Sequence, residues 1–108
     1  MLSHLARVIV FSLFAACASG ASSTGISDVS CPPSSTLTYA NFGKDMITSE
    51  CMSCHSTQSP KLGTQAQIQA QTSRILDAAV YTDAMPRNAD MTVEQRQLLG
   101  EWLACGAP

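Results

Sequence analysis

Residues 51–55 read Cys-Met-Ser-Cys-His. Two thiols three positions apart, followed at once by an imidazole, admit three chemistries: a dithiol redox couple, half of a zinc site, or the attachment point of a c-type haem. A thioredoxin-like pair needs a strand before it and a helix after it. Here an amphipathic helical pattern precedes it. Structural zinc needs four ligands, usually from a second Cys-x-x-Cys or a His-x-x-x-His. The other cysteines that could serve, Cys31 and Cys105, are distant singles, and no histidine follows His55. A c-type haem needs two thiols for its two vinyl groups and an imidazole directly after the second, so that it meets the iron from the same side. Cys51, Cys54 and His55 supply these in order.

The chain has 108 residues, enough for one domain. Its start reads as an export signal: His4 and Arg7, then an uncharged, mostly apolar run over 8–16. That run is too short for a bilayer, which needs about 20 residues, but suits a signal's hydrophobic core. Phe14-Ala15-Ala16-Cys17 is similar to a bacterial lipobox, which predicts removal of 1–16 and lipidation of Cys17. Cleavage nearby, with Cys17 discarded, is the plainer alternative. Export is expected either way, with Ala18 after Cys17 resembling outer-membrane sorting.

Without Arg7 the chain keeps five basic residues against eight acidic ones, a net of −3. No basic patch interleaves with aromatics, so nucleic acid is not an expected partner. Residues 18–30 (ASGASSTGISDVS) are Ser- and Gly-rich and without periodicity, and are expected to form a flexible tether within a segment 17–36. Beyond it the aromatics are Phe42, Tyr39, Tyr81 and Trp102. So small a domain usually needs a disulfide, metal or cofactor.

Three main helices are expected within 37–108. Apolar or small residues at 39, 42, 43, 46, 47, 51 and 54 mark the first. Thr64-Gln65-Ala66-Gln67 resembles a capping box opening the second, with Ile68, Ile75, Leu76 and Ala79 on one side. Thr92-Val93-Glu94-Gln95 opens the third, which carries Leu98, Leu99, Trp102 and Leu103 and stops near Gly106. No strand pattern is present, so the fold class is all-α.

A haem iron takes a sixth ligand or leaves that position open. Met46 and Met52 lie on or beside the helix bearing the thiols, on the wrong side to reach across the ring. Met91 precedes a helix cap, where an apolar residue packs. Met85, in the irregular stretch DAMPRNAD and stiffened by Pro86, is the candidate, because a thioether is an established partner opposite histidine. With Cys17 assigned to lipid and Cys51 and Cys54 to haem, Cys31 and Cys105 remain. In an oxidising compartment they are expected to pair, for about 4 kcal/mol in the chain-entropy model.

These residues resemble the small bacterial class I cytochromes c, over about 37–107. The likeness rests on Cys51–His55, on Met85-Pro86, and on a last helix ending L-L-G-E-W-L-A-C-G-A-P over 98–108. Gly43 and Ile47 stand eight and four positions before Cys51, where that family places a glycine and an apolar, often aromatic, residue. Leu99 and Trp102 match its leucine and aromatic pair. The resemblance implies a compact fold around a covalently bound haem c, with helices crossing at Gly43 so that Trp102 can approach. It also implies that Pro60 and Leu62 belong to the haem surroundings, the Pro60 carbonyl accepting a hydrogen bond from the imidazole. Only 30 residues separate His55 from Met85, which implies a short middle section and more exposed haem edge.

The function expected is electron transfer rather than catalysis: one haem c per monomeric chain, bound by Cys51 and Cys54, with His55 and Met85 on the iron. Partners would be redox proteins and, through Cys17, a membrane surface facing the periplasm. Lys61 and Arg87 flank the two ligand segments and would be solvated or help docking. Two alternatives stand beside this reading. An open sixth position would make a peroxidase or gas sensor, and a haem-free chain would use Cys51 and Cys54 as a thiol redox pair.

Overall fold

Three threonines start the helical arms of the chain. In the computed structural model, which describes residues 20–87 and 89–108, Thr38, Thr64 and Thr92 each accept a hydrogen bond from the backbone N–H three residues on. The side chains of Asn41, Gln67 and Gln95 accept in return from each threonine's own N–H. Each box satisfies two donors that a helix start leaves without partners. The expected signal peptide over 1–16 and Cys17 lie outside the described residues.

From Thr38 the chain makes a π-helical segment, Tyr39–Gly43, then α1 (Lys44–Glu50) and α2 (Met52–His55). From Thr64 it makes α3 (Gln65–Ala70), α4 (Thr72–Ile75) and a second π-helical segment, Leu76–Val80. Thr92 opens α5 (Val93–Ala104). That helix ends before Gly106, whose φ of 93° lies in the left-handed region glycine adopts without a steric penalty. Among the described residues no strand forms, only a lone antiparallel bridge between Ser23 and Thr82. The described chain is therefore all-α. Its arms are less regular than periodicity predicts: the first breaks at Cys51 (φ −120°) and the second at Gln71 (φ −113°).

The core forms where α5 crosses the first arm. Trp102 is fully buried, with Ile47, Leu99 and Leu103 beside it in one apolar cluster. Tyr39 stacks on its ring at a centroid distance of 6.5 Å, and Phe42 meets it edge-on at 6.1 Å. Gly43 makes this crossing possible. A Cβ there would stand 2.6 Å from Trp102 Cε2 and closer still to two other ring atoms, so any side chain would force the helices apart. The Trp102 indole N–H donates to the Pro108 carbonyl at 3.3 Å, satisfying its one polar atom.

The stretch expected to be a tether behaves differently from residue 22 onward. Ser22 N–H donates to Asp83 Oδ1 at 2.6 Å, Thr24 N–H to the Tyr81 carbonyl at 3.0 Å, and Thr24 Oγ1 to the Val80 carbonyl at 2.6 Å. Ile26 belongs to the buried cluster. Val29 lies against Gly100, where a Cβ would come within 2.5 Å of it. This length of chain is a strap laid along the domain, held by backbone hydrogen bonds and two apolar anchors. Cys31 and Cys105 form a disulfide, with Cα atoms 4.8 Å apart, tying the strap's end to the end of α5.

Candidate functional site

Cys51, Cys54 and His55 occupy positions i, i+3 and i+4 of one turn, which places all three side chains on a single face. The turn is helical despite the break: His55 N–H donates to the Cys51 carbonyl at 3.0 Å, and Cys51 N–H to the Ile47 carbonyl at 2.9 Å. α1 thus delivers Cys51, and the next turn presents Cys54 and His55 beside it. Both thiols are free and half-buried.

The chain then loops back over His55. Its Nδ1 lies 2.8 Å from the Pro60 carbonyl. A carbonyl only accepts, so Nδ1 carries the proton, and Nε2 of the neutral ring keeps its lone pair. The same loop returns a second bond, Leu62 N–H to the His55 carbonyl at 3.3 Å, and buries Leu62 in the core. The imidazole is thereby oriented, with one nitrogen committed and the other available to a metal.

The environment of Cys51 bears on thiol chemistry. Burial, and secondarily the charge of Glu50, push its thiol up to about 11. Reactive cysteines have the opposite setting, electropositive and with a lowered pKa. Cys51 is a neutral thiol at physiological pH and a poor nucleophile.

Met85 sits on a separate segment. It is half-buried and borders the same apolar cluster as Cys51 and Met52. Its N–H donates to the Ala78 carbonyl at 2.8 Å, and its carbonyl accepts from Arg96 at 2.7 Å. No hydrogen bond among the described residues links it to the Cys51–Leu62 unit. Met46 and Met52 also border the cluster, and Met91 is buried in it beside the α5 cap. Lys61 and Arg87 are exposed.

Arg96 is the site residue that sequence reading passes over. It is only 5 % exposed, yet charged. A signal for it exists: it stands three before Leu99 and seven before Leu103, on the buried face of α5, whereas Leu98 is 43 % exposed. Among the described residues, no three His, Cys, Asp or Glu side chains gather as a zinc site would require. A histidine–methionine pair on one iron is not a grouping of that kind. No known protein family, curated protein or solved structure matches the chain.

Proposed function

We propose that this chain is an electron carrier similar to the small bacterial class I cytochromes c. It would adopt a cytochrome c-like fold and bear one haem c. Cys51 and Cys54 would hold the haem as thioethers, and His55 Nε2 and Met85 Sδ would be donors to its iron. The observation that carries the reading is the hydrogen bond of His55 Nδ1 to the Pro60 carbonyl, on the same turn as two free thiols sharing the imidazole's face.

The donor set suits that group. Nδ1 is tied to the Pro60 carbonyl, which fixes the ring's orientation and leaves Nε2 facing away from that bond. Haem, when bound, supplies a one-electron ferric/ferrous couple, and histidine–methionine ligation raises its potential. The protein's own part is to hold the two thiols, orient the imidazole and present the thioether from the 79–85 segment at the border of the core. The neutral, sluggish thiol of Cys51 weighs against a dithiol redox couple.

The expected setting is the periplasm, with Cys17 as a lipid anchor and other redox proteins as donor and acceptor. The strap is bound to the domain from Ser22 onward.

Carbon monoxide tests the closed sixth position. Protein matured in a host that assembles c-type cytochromes should give a low-spin spectrum that carbon monoxide leaves unchanged when reduced. Met85→Ala should then bind the gas. Uptake by the wild type would instead indicate an open iron and move the function toward peroxide reduction or gas sensing.

A further inference from the structure

Arg96 is a cation in the wrong place for a surface charge. It lies near the N-terminal end of α5, where the helix dipole gives a positive charge nothing, and it is buried. Burying a charge is costly unless hydrogen bonds compensate. Its Nη1 donates to three backbone carbonyls: Ala79 at 2.7 Å, Met85 at 2.7 Å and Thr82 at 3.3 Å. The chain from 79 to 85 is therefore wound around one guanidinium nitrogen. The opposite edge of that segment is held by the strap, through Thr24 to Val80 and Tyr81 and through Ser22 to Asp83.

We infer that Arg96 is a positioning residue for Met85, its guanidinium gathering the 79–85 carbonyls so that the thioether is held in place, an inference resting on the reading of Met85 as an iron ligand. Both backbone polar groups of Met85 are then engaged, the N–H by Ala78 and the carbonyl by Arg96. With the backbone fixed on both sides, the side chain has only its own torsions left to vary. A purely structural arginine would stabilise the domain as a whole. A positioning arginine governs one segment, and the two roles can be separated.

The test compares wild type, Arg96→Gln and Arg96→Lys in the haem-loaded protein by amide hydrogen exchange and carbon monoxide uptake. Lysine keeps the charge and can still donate to these carbonyls; glutamine keeps one donor group and loses the charge. Arg96→Gln should speed exchange at residues 80–85 by about tenfold or more while residues 51–62 stay as protected as before. It should also gain carbon monoxide binding, and Arg96→Lys should restore only part of both. Equal loss of protection in both regions, or Arg96→Gln remaining indifferent to carbon monoxide with its 80–85 protection intact, would overturn the inference. Carbon monoxide uptake by the wild type would overturn the reading of Met85 as ligand, and is told apart because it needs no variant. Should Arg96→Gln fail to fold, Arg96→Lys decides in its place: wild-type exchange at 80–85 with intact gas exclusion would overturn the guanidinium's positioning role. Loss of both at 80–85 alone would show that the guanidinium geometry is required, and uniform loss would again overturn the positioning role.

Discussion

The turn bearing Cys51, Cys54 and His55 is held by hydrogen bonds made entirely between residues 47 and 62. The segment bearing Met85 has local bonds of its own, Met85 N–H to the Ala78 carbonyl among them, but is also held by Arg96 on α5 and by Ser22, whose bond to Asp83 spans 61 positions. The hydrogen bonds of one half of the candidate site are all local, whereas the other half adds bonds to the strap and to α5. A local unit can form as soon as its helix does. An assembled one exists only when the strap, the loop and α5 have come together, and it should open first when any of them is weakened.

The largest effect is expected from removing the disulfide. Cys31→Ala with Cys105→Ala frees the end of the strap, and the chain-entropy model gives a loss of about 4 kcal/mol, an upper figure. Exchange at 22–31 and 79–85 should rise before exchange at 51–62. A uniform rise would break the distinction between the two regions. Next comes Gly43→Ala, which drives a methyl group into the Trp102 ring and should cost about 1–3 kcal/mol by overpacking. This tests the crossing of the arm leading to Cys51 with α5, and denaturant unfolding would measure it.

A pH effect of about 2–3 kcal/mol is expected in haem-free chain. The folded state raises the Cys51 thiol from 9.0 to about 11, so between those values the native state holds more protons than the unfolded one. Stability from this source is complete below pH 9 and lost as pH rises through 11. Cys51→Ala should flatten the profile. Haem-loaded protein should show none of this decline, because a thioether has no proton to lose. The smallest effect is at the strap: Thr24→Val removes the 2.6 Å bond to the Val80 carbonyl, worth about 1 kcal/mol. Its consequence should appear in the exchange of 80–85 and not in that of the His55 turn.

The same contrast governs what can be read from the chain. The His55 turn and the Thr64 and Thr92 caps are spelled out within a few residues, where spacing alone says which groups meet, whereas the Pro60 bond is implied only by the resemblance to class I cytochromes c. Gly43 and Trp102 are far apart, and their meeting likewise follows only from that resemblance. The strap has no such signal. Ser22 and Thr24 bind through backbone and hydroxyl groups, which leave no periodicity, and only Ile26 and Val29 mark it as more than a linker. Arg96 is hidden for another reason: a charged residue is ordinarily solvated, and its burial is evident only once its neighbours at 99 and 103 are known to face inward. The breaks at Cys51 and Gln71 and the π-helical segments are also unmarked, since a widened turn keeps almost the same apolar pattern as an α-helical one.

The most direct test of the central claim is whether haem stays with the chain under denaturing conditions. Protein from a host that matures c-type cytochromes should keep one haem per chain through acid–organic extraction, with an intact mass raised by one haem and no free thiols. Cys51→Ala with Cys54→Ala should keep none. A colourless protein with two alkylatable thiols at Cys51 and Cys54 would contradict the account and return that turn to thiol or metal chemistry.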